Sequence, residues 1–162
     1  MPAIEKGVRE MMERGALAGY RMQDIAVEVF FGKDHPVDSS EAAFKTAGKF
    51  AFKKAFLAAR PMLLEPVVKM EITIPTKCTG AVLGDISTKR GHVENQDSLP
   101  GDQTVIYASA PLSEVTRYAA QLGGMTQGQG SYTMELSHYD PVPANLQQQI
   151  VSRSVVKHDE EE

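Results

Sequence analysis

The stretch that decides the fold reads Arg117-Tyr-Ala-Ala-Gln-Leu-Gly-Gly-Met-Thr-Gln-Gly-Gln-Gly-Ser-Tyr-Thr-Met-Glu-Leu-Ser-His-Tyr-Asp-Pro-Val-Pro143. Its first part has the pattern of a helix that ends at Gly123-Gly124, and a glycine- and glutamine-rich loop follows. Beyond the loop the residues alternate, with Tyr132, Met134, Leu136 and His138 on one face and polar side chains on the other. This alternation predicts a strand that ends in the proline-containing segment, where ladder donors are missing.

A related pattern lies upstream of this stretch. Val68, Met70, Ile72 and Ile74 alternate in a predicted strand that stops at Pro75, and a helical pattern and a short extended run follow. A second strand pattern stops at Pro111, roughly 36 residues later, which is the length of one supersecondary unit. Two β-α-β units in tandem predict an α+β fold with the ferredoxin-like arrangement β-α-β-β-α-β.

The smaller elements of this part can be placed as well. Thr79 is expected to cap the first helix, and His92-Val-Glu94 forms a short return strand followed by a polar loop up to Asp102. The second helix is expected to run unbroken from Leu112 to Leu122. Residues 145–151 are expected to form a short terminal helix.

The first third of the chain has a different organisation. Ile4 to Gly15 has the pattern of an amphipathic helix, Asp24 to Phe31 that of a strand, and a long helix ends at Pro61. Asp38 and Glu41 have the spacing of a capping box at its start. The stripe that we expect this long helix to bury comprises Phe44, Ala47, Ala51, Ala55 and Ala58, widened by Phe52 and Phe56. Because one strand cannot form a sheet, we expect that partner strands precede the sequence as given.

Composition limits the class of protein. The chain has 162 residues, of which 42% are hydrophobic, enough for one ordinary domain or two small ones. The net charge is −4, and Asp159-Glu-Glu-Glu162 alone contributes four negative charges, so any RNA contact would depend on local patches. The single cysteine, Cys78, excludes an internal disulfide, and no apolar run reaches the ~18 residues of a membrane span. We therefore expect a cytoplasmic protein without a signal peptide.

Motifs of catalysis and cofactor binding are missing from the sequence. There is no GxxxxGK[ST] loop to cradle a nucleoside triphosphate, and the four histidines show no ligand spacing with Cys78. The glycine-rich loop after Gly124 follows a helix and does not open one, so we interpret it as a structural connection. The sequence predicts neither catalytic residues nor a metal site.

Two groups of residues are candidates for binding. His35 lies in a turn-forming segment beside Lys33 and Asp34, and is either a solvated loop histidine or a contact at the tip of a protruding domain. Lys45, Lys49 and Lys53 recur every four residues along a helix, as a solvated face or as a stripe that meets phosphates. The residues alone leave both alternatives open.

Several motifs, taken in order, resemble the C-terminal portion of translation elongation factor G. They are Ala18-Gly-Tyr20, His35-Pro-Val-Asp-Ser-Ser-Glu41, Ala43-Phe-Lys45, Leu64-Glu-Pro66, Gly84-Asp-Ile86, Lys89-Arg-Gly91, Ala110-Pro-Leu112, Met125-Thr-Gln-Gly128 and Tyr132-Thr-Met-Glu-Leu-Ser-His-Tyr139. The resemblance runs nearly without gaps from Ile4 to Ile150. It implies that residues 1–63 are the C-terminal half of domain IV, a helix-strand-helix part of a β/α domain. It further implies that residues 64–152 are the ferredoxin-like domain V, and we expect the acidic tail at 153–162 to be disordered.

The resemblance also implies a function, that of a fragment of a ribosomal translocation GTPase. The GTP-binding domain, with its GTP and Mg²⁺, would lie upstream, so this part would hold no cofactor and catalyse nothing. By resemblance, Lys33, Asp34 and His35 form a tip loop that approaches tRNA and mRNA in the decoding site, and Lys89 and Arg90 are candidates for contact with ribosomal RNA. The implied partners are the ribosome, including its stalk-base proteins, and the upstream domains of the same polypeptide, with no membrane.

The sequence departs from the family pattern at several positions. Gln129 lies near a position where the family usually has arginine, Thr116-Arg117 replaces Phe-Gly, and Lys33-Asp34 stands in the tip loop where Ser-Tyr is frequent. These departures keep open a ribosome-recycling or ribosome-protection paralogue. A stand-alone ferredoxin-like interaction module is the alternative from another class.

Overall fold

The computed structural model describes residues 2–33 and 40–154, and the chain divides into two compact units. Unit 1 comprises residues 1–62 together with 143–162, and unit 2 comprises Leu63–Val142. The elements in chain order are α1 (Pro2–Arg14), α2 (Glu41–Ala58), β1 (Leu64–Pro75), α3 (Thr79–Thr88), β2 (His92–Leu99), β3 (Gln103–Pro111), α4 (Leu112–Val115), α5 (Tyr118–Thr126), β4 (Ser131–Pro141) and α6 (Ala144–Arg153). A 3₁₀ turn, Thr76–Cys78, precedes α3.

Unit 1 is built on the contact between α1 and α2, which is close because each helix contributes a glycine. A Cβ atom at Gly7 would lie 2.2 Å from the carbonyl oxygen of Lys45, and one at Gly48 would lie 3.0 Å from Ile4. The buried cluster of this unit consists of Val8, Ala16, Met22 and Phe52. Helix α6 is grouped with this unit, where the side-chain amide of Gln147 donates a hydrogen bond of 3.2 Å to the Pro61 carbonyl.

Two expectations for unit 1 are wrong. Asp24 to Phe31 has no ladder partner among the described residues and forms no strand, since a strand depends on cross-strand pairs as well as on β-branched composition. The alanines of the predicted α2 stripe from Ala47 onward are exposed, and the helix buries Gly48 together with Phe52, the one fully buried member of the predicted stripe. Glycine allows the backbone of α1 to approach on that side, so the glycine-bearing face is the packed one.

The start of α2 is capped by Ser40, whose Oγ accepts a hydrogen bond of 3.0 Å from the Ala43 amide. Asp38, the expected cap, lies outside the described residues. Glu41 is the first helical residue, where a carboxylate interacts favourably with the helix dipole.

Unit 2 has the predicted ferredoxin-like topology. Its four strands form one antiparallel sheet in the order β2-β3-β1-β4, with α3 between β1 and β2, and α4 and α5 between β3 and β4. The central strand β1 pairs with both β3 and β4 over most of its length. The α+β class and the β-α-β-β-α-β arrangement are confirmed.

The core of unit 2 lies between the sheet and its helices. The alternating residues of β1, from Val68 to Ile74, are at most 3% exposed, and they pack against Val82 and Ile86 of α3. Tyr118 of α5 is fully buried and meets Tyr132 edge-on, with 5.2 Å between the ring centroids. Burial raises the pKa of the Tyr118 hydroxyl, and the nearby Asp85 charge adds to the effect.

Three details of unit 2 differ from expectation. Strand β2 continues to Leu99, through most of the predicted polar loop, because its side chains beyond Val93 are exposed and polar residues fit there. The helix predicted from Leu112 to Leu122 is broken between Val115 and Tyr118, although its apolar face packs as expected. Cys78 occupies the N-cap position of α3, and the Thr79 hydroxyl is buried without a hydrogen-bond partner.

Candidate functional site

The predicted tip loop is only partly described. Lys33 is exposed at the end of the described stretch, whereas Asp34 and His35 lie outside it. The residues before Lys33 present two uncovered aromatic rings, Phe30 at 91% and Phe31 at 71% exposure. The role of the three loop residues therefore stays a prediction.

The second candidate pair, Lys89 and Arg90, lies at the C-terminal end of α3. Lys89 binds Asp85 one turn earlier, through its ammonium group and the Oδ1 atom, and both side chains are at most 19% exposed. This contact has the i,i+4 spacing at which oppositely charged residues meet on a helix. The ammonium group is thus already compensated by a carboxylate within unit 2.

Arg90 is held even more completely. Its Nη1 and Nη2 atoms donate to the two carboxylate oxygens of Glu65 at 2.6 and 2.9 Å, and its Nε donates to Glu114 at 3.0 Å. These hydrogen bonds, chiefly those to Glu65, raise the pKa of the guanidinium above its usual value. The residue has a left-handed backbone with φ of 56°, which directs the chain from α3 towards β2. Arg90 therefore joins three elements of unit 2, and an RNA phosphate would have to compete with two carboxylates for it.

The lysine stripe of α2 is partly engaged in the same way. Lys45 and Lys49 bind the two carboxylate oxygens of Glu10 on α1 at 2.6 and 2.9 Å. The hydrogen bond from Lys45, followed by that from Lys49, lowers the pKa of Glu10 from 4.5 to about 2. Two of the three lysines thus link α1 to α2, which agrees with neither of the two alternatives that the sequence left open.

Other cations of unit 2 remain without an ion pair, and sequence reasoning did not select them. Lys77, in the turn before α3, and Arg117, between α4 and α5, are both exposed and form no salt bridge with any described residue. They are better placed than Lys89 and Arg90 to meet a phosphate. A sequence signal existed for only one of the two paired cations: the i,i+4 spacing indicates that Lys89 is paired, whereas Glu65 is distant from Arg90 in the chain.

The glycine-rich loop after α5 is a structural connection, as predicted. Gln127 adopts a left-handed conformation with φ of 55°, and the Gly128 amide donates to the Gly123 carbonyl at 2.9 Å. The Thr126 hydroxyl donates to the Leu122 carbonyl at 2.7 Å and accepts from the Gly130 amide at 2.9 Å. These bonds use backbone amides that an anion site would need. Across residues 2–33 and 40–154, no group of three or more His, Cys, Asp or Glu side chains is arranged to hold a metal ion.

Comparisons with known proteins divide the chain at nearly the same residue, but their C-terminal match includes α6, which the structure groups with unit 1. Residues 1–60 match the family model described as elongation factor G, domain IV, and residues 62–150 match elongation factor G C-terminus. A crystal structure of a protein from Thermus thermophilus superimposes with a TM-score of 0.76 at 40% sequence identity. That similarity covers 93% of this chain and 23% of the other, so the chain spans about a quarter of its solved relative. None of the described helices is long and apolar enough to cross a membrane. The chain belongs to the elongation factor G family and carries its domain IV and C-terminal regions.

Proposed function

We propose that this chain is the ribosome-contacting, non-catalytic part of a translocation GTPase, acting in the cytoplasm during protein synthesis. The observation that carries the proposal is the match of two consecutive elongation factor G models, which together account for residues 1–60 and 62–150. In the whole protein GTP and Mg²⁺ would bind in a domain upstream, and no residue of this chain is assigned to them. The partners are then ribosomal RNA, stalk-base proteins, tRNA with its mRNA, and the upstream domains.

The contribution of the chain is steric and electrostatic. The segment from Lys33 to His35 would occupy the space that tRNA and mRNA leave in the decoding site, and thereby oppose their return. Unit 2 would hold the factor near the base of the stalk. Its exposed and unpaired cations, Lys77 and Arg117, support contact with phosphate more than the paired Lys89 and Arg90 do.

The test uses a chimeric elongation factor G in which this chain replaces the corresponding C-terminal segment. This chimera is compared with the same chimera carrying His35→Ala. We expect His35→Ala to slow single-turnover translocation by roughly tenfold, equivalent to ~1.4 kcal/mol of transition-state free energy, with ribosome-stimulated GTP hydrolysis unchanged. Lys54→Ala, a change on α2 that removes one exposed charge outside the lysine stripe, is the matched control. Unchanged translocation in the His35→Ala chimera would remove His35 from the mechanism.

The departures at Gln129 and Thr116-Arg117 favour testing a recycling paralogue as the second candidate. The same chimera, assayed for the splitting of post-termination ribosomes, separates the two. Splitting without translocation would assign the chain to recycling.

A further inference from the structure

Among the described residues of unit 2, no helix packs on one of the two faces of its sheet. Helices α3 and α5 bury their apolar side chains against the opposite face, where Met70 and Ile106 lie. The strand register arranges the free face as three rows, each running in the order β2, β3, β1, β4. The rows are Asp97–Val105–Thr73–Ser131, Asn95–Tyr107–Glu71–Thr133 and His92–Ser109–Lys69–Glu135.

The charge of this face is unbalanced. Glu71, Asp97 and Glu135 stand in the rows, and Glu94 lies at the irregularity of β2. Three of these residues, Glu71, Glu94 and Glu135, line one groove of about 390 Å³. Lys69 is the single cation of the rows, so four carboxylates against one ammonium give a net charge of −3. None of these five side chains forms a salt bridge with any described residue. Their field is therefore directed to solvent, where it attracts positive charge and repels phosphate.

An aromatic ring lies in the middle of the face. Tyr107 is half-buried, stands directly opposite Glu71 on the neighbouring strand and lines the groove. A tyrosine surrounded by carboxylates suits a guanidinium, which stacks on the ring while it pairs with the acids. Tyrosine is also among the residues that carry most binding energy in protein interfaces.

The rest of unit 2 agrees with a protein partner on this side. Residues 63–142 contain nine Asp or Glu and five Lys or Arg, which leaves a net charge of −4 for a unit expected to work on an RNA-rich particle. The unpaired cations Lys77 and Arg117 lie outside the three rows, Lys77 in the turn after β1 and Arg117 between α4 and α5. RNA contact therefore fits these two connections, whereas the acidic sheet face favours a cationic surface.

We propose that this sheet face docks a Lys/Arg-rich surface of a protein. The inference deepens the proposed function, on which it depends, by assigning a basic ribosome-associated protein to this side of unit 2. The backbone hydrogen-bonding groups of the two central strands, β1 and β3, are already paired with neighbouring strands. The partner therefore contacts the side chains of the face and does not pair with these strands. Arginine side chains reach Tyr107 and the glutamates around it, and charge complementarity fixes the orientation.

The probe is an arginine- and lysine-rich helical peptide, titrated at low salt into the isotope-labelled chain and followed by amide chemical shifts. We expect the shifts to concentrate in the three rows. The triple change Glu71→Gln, Glu94→Gln and Glu135→Gln should weaken binding by roughly tenfold. The matched control, Asp24→Asn with Glu28→Gln and Glu41→Gln, removes the same charge from exposed positions of unit 1 and should change affinity less than about twofold.

Three results would overturn the proposal. Equal loss of affinity in the two triple variants would mean attraction by net charge alone. Shifts on another surface would place the peptide elsewhere, and an RNA hairpin that shifts the same three rows would make this an RNA-binding face. Because the peptide titration contains no ribosome, its result can be interpreted even if the chimera fails in the translocation test. All changed residues are exposed, and circular dichroism checks that each variant is folded.

Discussion

Substitution of Gly91, at the corner that follows Arg90, tests the packing of unit 2 most sharply. A Cβ atom there would lie 2.6 Å from the Ile86 side chain, 2.8 Å from the Ile86 carbonyl oxygen and 3.2 Å from the Ser109 carbonyl oxygen. Two of these three atoms belong to the backbone, so the clash cannot be relieved by a side-chain rotation. We expect Gly91→Ala to destabilise unit 2 by about 2–3 kcal/mol, the cost of overpacking a well-filled site.

Gly84→Ala is the matched control, in the interior of α3 with nothing within 4 Å of the added methyl group. It should stabilise the same unit by up to about 1 kcal/mol, because alanine has the higher helix propensity. For a unit of this size 1 kcal/mol corresponds to a shift in Tm of roughly 4–8 °C, so the two variants should move apart in opposite directions.

The assay is thermal unfolding followed by the tyrosine signal in near-ultraviolet circular dichroism. Four of the five tyrosines, at positions 107, 118, 132 and 139, lie in unit 2, so the signal reports mainly on that unit. Equal Tm values for the two alanine variants would show that α3 and β2 do not meet at this corner as described.

Three further outcomes follow from the contacts of single residues. The carboxyl group of Glu10 should titrate near pH 2 in carbon-detected NMR, since its pKa in the folded protein, about 2, lies below the ordinary value of 4.5. The contribution of Glu10 to the free energy of unfolding is therefore present above about pH 4.5 and is lost as the pH falls through 2. Glu10→Gln should abolish this pH dependence. Gln127→Gly should raise the stability of unit 2 by about 1 kcal/mol in urea unfolding by relieving the left-handed backbone, whereas Gln129→Gly, at a position where φ is not positive, should not. Arg90→Lys should cost about 1 kcal/mol in the same assay because lysine cannot form the bidentate contact, and an unchanged midpoint would mean that the two glutamates do not depend on it.

The sequence predicts unit 2 well because its signals are local. The alternation from Val68 to Ile74 can be satisfied only by a sheet with one face packed, and the prolines at 75 and 111 stop β1 and β3 where the structure stops them. The break between α4 and α5 could not be predicted, since Thr116-Arg117 contains neither glycine nor proline.

Unit 1 is harder to predict, because the structure of its segments depends on which other segments pair or pack with them. Asp24 to Phe31 has strand composition, yet pairing requires a partner that no described residue supplies. Alanines lie on several faces of α2, so composition does not show that Gly48 marks the packed side. The candidate sites are hard to predict for the same reason. The resemblance selects Arg90, but its ion pairs with Glu65 and Glu114 join residues that are distant in the sequence, and only the fold reveals them.

We propose that this chain supplies the ribosome-contacting part of a translocation factor. The most direct measurement is single-turnover movement of tRNA and mRNA driven by three proteins: a factor G truncated before its domain IV match, the same factor completed by this chain, and the intact factor. We expect this chain to restore translocation to within about tenfold of the intact factor, a difference of ~1.4 kcal/mol in activation free energy. A completed factor that folds, binds ribosomes and hydrolyses GTP, yet moves tRNA no faster than the truncated one, would contradict it.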